Sequence, residues 1–372
     1  MKTILHIFRT YSRDSSLFND IVRSTEGAYR NVVCYLTGED DGANQMTSIA
    51  DQIIYLNLAK NAVTWRSPST VGKVRQIIED NNVDLVDCHM WRSMPIGVLA
   101  AARSRHKPQV VGVFHGVKSR ISLRTKLLYY FTLRRMAKIV SVSEGGVADI
   151  QSLFWGVDPG KLSAIPNGLD FSRFSGVDAG DRSALFGPEF ASKRLFITVS
   201  RLASKKNLER LLRAFSHVHS AYPNAGLVIV GDGLLRPRLE EFVASKGLAG
   251  SVAFLGFRED VPLLLKTADV YAIPSLREGL PRSLLEAMAV GKPVLASRIH
   301  GHEEVVRDPE HGRLVDAADA DDIAAAIEYF MRLEPQELAT QGRAASEHVR
   351  ADFNRDLMMA RYRALFDQLL QP

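Results

Sequence analysis

No stretch of the 372 residues approaches the ~18 consecutive apolar residues that a membrane-spanning helix requires. Cysteine is nearly absent. Cys34 and Cys88 each fall inside a short apolar run, which predicts buried, inert thiols and gives no basis for a disulfide framework. No Cys/His spacing of a zinc site occurs, and basic and aromatic residues are not interleaved as on RNA-binding surfaces. Nucleic acid is therefore not an expected partner. The opening MKTILHIFRTYS has too short an apolar run for a signal-peptide core, so Lys2–Phe8 reads as a first buried strand and a cytoplasmic location is expected. Internal sequence repeats are also lacking.

What is present is a globular balance, 46% hydrophobic and 24% charged residues, in a chain long enough for two domains. The net charge of +5 is uneven. Residues 1–170 carry 21 Lys and Arg against 15 Asp and Glu, whereas residues 171–372 carry 26 against 27. The N-terminal half is expected to face something acidic. Within it, residues 116–143 contain Lys118, Arg120, Arg124, Lys126, Arg134, Arg135 and Lys138 and no acid. Leu123, Leu127, Leu128, Tyr130, Phe131 and Leu133 are interspersed. This predicts a basic amphipathic helix, either lying on an anionic membrane or acceptor or packed on the sheet with a solvated basic face.

Short β-branched runs alternate with helical patterns throughout, which argues for parallel sheets wrapped by helices. The runs of the first half fall at 3–8, 31–36, 53–56, 84–88, 109–114, 138–142 and 162–165. Those of the second fall at 195–200, 227–231, 252–256, 269–273 and 293–297. Between them, residues 173–193 lose periodicity and collect Ser, Gly, Asp and Pro, as a linker would. The predicted organisation is a Rossmann-like domain over 1–172, a linker over 173–193, a second Rossmann-like domain over 194–352 and a terminal helix over 353–372.

Ligands of open α/β sheets sit beyond the carboxyl ends of the strands. In the second half those positions hold Arg201 to Lys206, Gly231-Asp232-Gly233, Phe257-Arg258, Ser275 to Glu278, and Arg298 to Glu304. Arg201 and Lys206 have the chemistry to neutralise a diphosphate, or they form a solvated basic loop with Lys205 as an exposed neighbour. The Gly231–Gly233 turn permits close ligand approach and equally suits a plain tight turn. In Tyr271–Ser297, a strand leads through a loop into a helix that begins near Pro281 and ends before Gly291. Placing Pro281 at the first helical position predicts outward-facing amides on Arg282 and Ser283, an anion site. Glu278 and Glu286 flank that helix start. They are hydroxyl acceptors for a sugar nucleotide, or a loop charge and an ordinary helix residue.

In the first half His115 and His89 follow strands and take either structural or hydroxyl-binding roles. Asp319-Ala320-Asp321 spells a metal-binding DxD string but stands at a helix start, where acids cap amides. No metal is expected.

Together these segments resemble the retaining glycosyltransferases of family 4, which have the GT-B fold. The resemblance covers most of the chain. It rests on SRLASKKNLERLLRAF, VIVGDG, FLGFREDVPLLLKTADVYAIPSLREGLPRSLLEAMAVGKPVLAS with its E-x7-E pair, and GHEEVVRDPEHGRLVD, together with FHG, VSVSEGG and IPNGLD. It implies two doubly wound domains facing each other across a cleft, the first binding acceptor and the second a nucleotide-sugar donor. Glu278 would bind hydroxyls of the transferred sugar and Glu286 the ribose. Arg201 and Lys206 would hold the diphosphate, and in the Gly279–Leu284 turn Gly279, Leu280, Arg282, Ser283 and Leu284 would offer backbone amides. Gly231 and Asp232 would border the donor, Phe257 and Arg258 the base, and His115 the sugar's outer hydroxyl.

Such enzymes use no cofactor or metal, take a UDP- or GDP-sugar, and transfer a hexose-type unit to a saccharide or lipid-linked acceptor. Cell-envelope polysaccharide or lipopolysaccharide synthesis, peripheral on the inner face of the cytoplasmic membrane, is the expected setting. Arg13, Ser16, His89, Arg120, Arg124, Lys126, Arg134 and Arg135 are the candidate acceptor or membrane contacts. One departure from the family is the loop Arg9–Ser16, which lacks the usual glycines, so Arg13 or Ser16 would replace close backbone approach there. Alternatives of similar sequence type are a UDP-GlcNAc 2-epimerase of the same fold, a sucrose- or trehalose-type synthase, and a nucleotide-sugar-binding module without catalysis.

Overall fold

The computed structural model describes residues 1–11, 16–116 and 121–371. Arg13, Lys118 and Arg120 lie outside the described residues. The chain forms two compact units, Met1–Gly168 with Arg355–Pro372, and Leu169–Asn354.

The first unit is built on a parallel sheet of β1 (Thr3–Thr10), β2 (Arg30–Thr37), β3 (Gln52–Tyr55), β4 (Leu85–His89), β5 (Gln109–Phe114), β6 (Lys138–Ser141) and β7 (Leu162–Ala164). Its spatial order is β3-β2-β1-β4-β5-β6-β7. Helices cover both faces, so β1 is buried from Thr3 to Phe8 and reads as one continuous run. The helix Pro68–Asp80 shows how the covering elements are specified. Ser67 caps it by accepting from the Thr70 amide, Pro68 opens it, and Val71, Val74 and Ile78 turn inward. The terminal helix Arg355–Leu370 packs on the opposite face through Met358, Tyr362, Leu365 and Phe366, against Ile4, Leu85, Val111 and Val140. That helix belongs to the first unit although 186 residues of the second precede it.

The second unit carries β8 (Arg194–Val199), β9 (Ala225–Val230), β10 (Val252–Gly256), β11 (Val270–Ile273), β12 (Val294–Ser297) and β13 (Gly312–Val315), all parallel, in the order β10-β9-β8-β11-β12-β13. Both sheets are doubly wound. The strand order reverses between β1 and β4 in one and between β8 and β11 in the other, and such reversals open a crevice beyond the strand ends.

Three differences from the sequence reading stand out. Strand β13 is only GRLV, too short to show a period. The helix Pro335–Asp352 was not predicted because its inward side is Leu338, Gly342, Ala345 and Val349, two of them nearly featureless. Gly342 makes its close packing possible, since a Cβ there would lie 2.0 Å from the Gly291 carbonyl oxygen. Residues 173–193 are part of the second unit. They bury Phe174, Phe186 and Phe190, and Arg182 pairs with Asp269 at 2.6 Å. Polar composition there reflects capped short turns, not an open tether. Both cysteines are buried and free. Among the described residues no helix is long and apolar enough to cross a membrane.

Candidate active site

The carboxyl-end rim of the second sheet brings five loops together. Beyond β8 the chain makes a short turn, Ser204–Lys206, ended by Asn207 in the left-handed conformation at φ 59°. Asparagine tolerates that conformation, and its amide ties the turn to neighbouring strand ends by donating to Pro274 O at 3.1 Å and Ala317 O at 2.7 Å. The Leu276 amide completes the tie by donating to Lys205 O at 2.8 Å. This fixes Lys206 beside the loop that follows β11.

There Lys206 Nζ lies 2.6 Å from Glu278 Oε1, and Lys205 Nζ lies 3.2 Å from Oε2. The Glu278 side chain is only 9% exposed. Burial alone would push its carboxyl up, but Lys206 and then Lys205 outweigh it and hold the group below its ordinary value. Lys205, expected as a solvated neighbour, is instead the second cation on Glu278. Arg201 is exposed, and among the described residues it has no ion pair.

Gly231 and Gly233 do more than loosen a turn. A Cβ on Gly231 would lie 2.0 Å from Ser200 O, and one on Gly233 2.4 Å from Leu202 O. The glycines let the end of β9 dock on the Arg201 loop, and Leu202 N donates to Asp232 O at 2.9 Å. Asp232 is exposed and accepts from the Gly233 amide at 2.6 Å. Farther along the rim Phe257 stands 74% exposed. Beside it the Arg258 guanidinium forks onto Asp260 at 2.8 and 2.5 Å.

The helix Arg282–Ala289 starts one residue later than predicted, with Pro281 in the extended N-cap position. Pro281 O accepts from the Leu284 amide at 3.2 Å, so that amide is already used, and the Leu280 and Leu284 side chains are core. The leucines fix the turn; Arg282 and Ser283 carry its polar edge. Tyr271 OH donates to Ser283 Oγ at 2.7 Å. Glu286 is 19% exposed, one turn on, with Arg282 Nη2 at 3.9 Å.

Two residues of this rim escaped the sequence reading. A Cβ on Gly301 would lie 1.6 Å from Gly279 O, so the short helix His300–Glu303 rests directly on the Glu278–Gly279 backbone. The adjacent His302 is fully buried against Ser297, its Nδ1 3.0 Å from Ser297 O. Burial lowers its pKa to about 4, with Glu278 and Lys206 both close enough to act on it. The GHEE string signalled a rim loop but not which of its residues touch Glu278.

The DxD string caps a helix, since Asp319 Oδ1 accepts from the Asp321 amide at 2.8 Å at the start of Ala320–Arg332.

In the first unit His115 follows β5 and is partly buried at the sheet's carboxyl rim. His89 ends β4 but is fully buried, 3.0 Å from His115 Nε2, so it does not offer itself to an acceptor as predicted. Ser16 is the first residue of the helix Ser16–Arg23. The helix Leu123–Arg134 buries Tyr129, Thr132 and Leu133. Leu123, Leu127 and Phe131, four residues apart, remain 61%, 47% and 56% exposed. Arg124, Arg134 and Arg135 are exposed along it, Arg134 bonding Tyr130 OH and Arg135 the Phe131 carbonyl. Lys126 lies over the exposed Trp155 ring. Arg103, Arg124 and Arg135 also line an apolar groove of about 560 Å³ floored by Trp65, Leu99 and Phe131.

The family profile of glycosyl transferases group 1 matches residues 186–348, and that of glycosyltransferase family 4 matches residues 27–173. The UDP-Gal:alpha-D-GlcNAc-diphosphoundecaprenol alpha-1,3-galactosyltransferase of Escherichia coli is 29% identical over 282 residues, 73% of this chain and 72% of that protein. The GDP-mannose-dependent monoacylated alpha-(1-6)-phosphatidylinositol monomannoside mannosyltransferase of Corynebacterium glutamicum is 28% identical over 321 residues, 80% of each. Among solved structures, Anabaena HepE in complex with UDP and glucose aligns over 99% of this chain and 100% of that one, at a TM-score of 0.84 and 21% identity. Two doubly wound units of this kind have the fold of the GT-B class. Within that class the chain belongs to the family 4 type.

Proposed function

We propose that the protein transfers a hexose-type sugar from a UDP- or GDP-sugar, with retention of anomeric configuration, to a saccharide or lipid-linked acceptor in envelope polysaccharide or lipopolysaccharide synthesis. The observation that carries this reading is the Lys206–Glu278 pair, set where the order of the second sheet reverses, with exposed Arg201 on the same loop. An incoming diphosphate competes with Glu278 for Lys206 and Lys205. As the lysines turn to phosphate, the carboxylate is released to accept hydrogen bonds from sugar hydroxyls. The donor thus assembles its own site. Arg201 and Lys206 then meet the charge that grows on the leaving diphosphate, a role that needs no metal. Glu286 takes the ribose, the Gly279–Ser283 turn the phosphate and sugar, and Phe257 stacks on the base.

The named relatives act with UDP-galactose and with GDP-mannose, and both act on lipid-linked acceptors. This supports a lipid-linked acceptor more than it does either base. The exposed Leu123, Leu127 and Phe131 stripe, flanked by Arg124 and Arg135, is the surface that would meet an anionic bilayer. The test is incubation of the purified chain with UDP- and GDP-sugars and a polyprenyl diphosphate saccharide. Product is identified by mass and its anomeric configuration by NMR. A product of inverted configuration, or nucleotide release with no glycosylated product, contradicts the proposal.

A further inference from the structure

The second sheet carries another cluster of cations at its amino-end edge, on the side away from the Lys206–Glu278 pair. Arg194 opens β8, Asp269 immediately precedes β11, and Lys292 and Pro293 lead into β12. Together with the helix Pro335–Asp352 these residues line a cleft of about 510 Å³. Lys266 enters it from the helix Val261–Thr267. Arg343 and Arg350 enter from Pro335–Asp352, two helical turns apart on one face. Phe174, Val290 and Leu338, all buried, supply apolar wall. The helix Arg282–Ala289, whose start carries the polar edge of the Glu278 rim, ends at this cleft.

Five cations therefore meet one acid, and that acid is already committed. Asp269 Oδ1 accepts from Arg182 Nη2 at 2.6 Å, and Oδ2 accepts from the Leu195 amide at 2.7 Å. Part of the cluster is helix capping. Lys266 donates to Val290 O at 3.3 Å and Arg350 to Ala289 O at 3.4 Å, at the end of Arg282–Ala289. Arg194 donates to Phe330 O at 2.9 Å and Leu333 O at 3.0 Å, at the end of Ala320–Arg332. Lys292 donates to Ala268 O at 2.6 Å, and the exposed Arg343 to Thr340 Oγ1 at 3.0 Å. A carbonyl or hydroxyl satisfies a donor but cancels no charge. Among the described residues none of the five cations is in an ion pair. Donors also remain, since an ammonium has three and a guanidinium five. Burial lowers the Lys292 ammonium to about 8; Asp269 opposes the fall, and Lys266 and Arg182 add to it. A cation held among like charges in this way is stabilised by an anion brought between them.

We propose that this cleft binds a soluble phosphomonoester, at a site separate from the nucleotide-sugar rim. Lys266, Lys292, Arg343 and Arg350 meet the phosphate, and the organic part lies against Phe174, Val290 and Leu338. A phosphomonoester carries close to two negative charges at neutral pH and three acceptor oxygens, which match the surplus of cations better than a single carboxylate does. Guanidinium groups add forked pairing to phosphate oxygens. The cleft is within the size range of small-molecule sites, so it has room for more than the phosphate alone. A lipid headgroup is the poorer fit. Among the described residues the exposed large apolar side chains lie elsewhere, and none borders the cleft to enter a bilayer with it. Nothing in this site depends on glycosyl transfer.

The test is calorimetric titration of the full chain with glycerol 3-phosphate, with glycerol as the uncharged control. Glycerol 3-phosphate should bind and glycerol should not. Lys292→Met should weaken binding about 10-fold or more, as loss of one charged hydrogen bond does. Should that variant not fold, Arg343→Gln with Arg350→Gln, both exposed, should weaken binding at least as much. Arg201→Ala with Lys206→Ala, at the opposite end of the strands, should leave the affinity within about 2-fold, as expected of distant sites. Absence of binding at about 10 mM ligand overturns the proposal, since such an affinity is too weak for a built site. Equal binding of glycerol overturns it too, as does an affinity unaltered in the folded cleft variants or lost in the Arg201, Lys206 variant. Phosphatidic acid vesicles that sediment the native chain but not the Arg343, Arg350 variant would overturn the soluble ligand in favour of a lipid headgroup. Absence of transfer activity beside binding as expected counts against the glycosyl-transfer reading alone.

Discussion

Lys206 Nζ and Glu278 Oε1 lie 2.6 Å apart at the reversal of the second sheet, joining the loop after β8 to the loop after β11. Each is the other's counter-ion in the absence of a donor, so altering one changes what the other offers to a ligand.

Replacing Glu278 by alanine should therefore separate binding from turnover. Loss of a charged hydrogen-bond acceptor is worth up to about 3 kcal/mol, so transfer should fall about 100-fold. Lys205 and Lys206, no longer neutralised, should bind the nucleoside diphosphate at least as tightly as before. Calorimetry with UDP and GDP beside a transfer assay decides this. Near-normal turnover, or a loss of diphosphate affinity as large as the loss of rate, contradicts the assignment.

Gly301 makes a prediction that no charge argument would make. An alanine Cβ would sit 1.6 Å from Gly279 O, a backbone atom that cannot swing aside. Gly301→Ala should push the Glu278–Gly279 turn out of place, at a cost of about 1–3 kcal/mol in stability. Turnover should fall as severely as in Glu278→Ala. Chemical denaturation and the transfer assay check both effects, and an alanine variant with native stability and rate would show that the contact is absent.

Acid should weaken the fold partly through His302, whose pKa burial lowers from 6.5 to about 4. The folded group binds protons less readily than the unfolded one. Its effect is absent above pH 6.5, and stability is lost as pH falls from there toward about 4. Urea unfolding at a series of pH values should show a shallower loss in His302→Gln than in the native protein over that window. Parallel curves would remove His302 from the account.

The surface of the helix Leu123–Arg134 should bind vesicles rich in anionic lipid. Each cation near such a surface contributes about 1 kcal/mol, so Arg124→Glu with Arg135→Glu should weaken binding by more than about 10-fold. Leu127→Ser with Phe131→Ser, which removes apolar contact and adds no charge, should do so without altering the salt dependence. Vesicle sedimentation that treats all these variants like the native chain would contradict a membrane role for this face.

The parts of the site that were legible in the sequence are those carried by residues immediately after an apolar run. Arg201, Lys206, Asp232, Phe257 and Glu278 are read this way, because a parallel sheet places every strand's carboxyl end on one rim. Contacts made at long range were not legible. His6 reads as one polar residue inside a core strand, and its partner Asp87 is 81 residues away. Gly301 looks like any loop glycine until the Gly279 carbonyl is placed against it. Asn207 looks like an ordinary cap until its amide is found bridging Pro274 and Ala317. His89 was misjudged for a related reason: a strand-end position gives reach, but Asp87 had already engaged it. The helix Pro335–Asp352 was invisible because glycine and alanine pack its inner face without an apolar signal.

The most direct test of the central claim, that the β8–β11 reversal is a nucleotide-sugar site, is a thermal-shift titration with UDP, GDP and ADP. The native chain and the Arg201→Ala, Lys206→Ala double variant would be compared side by side. At 100 times Kd a ligand adds about 2.7 kcal/mol to the folded state. At least one nucleotide should raise Tm by several degrees in the native chain and by little or nothing in the double variant. No shift with any nucleotide, or an equal shift in both proteins, would contradict the account.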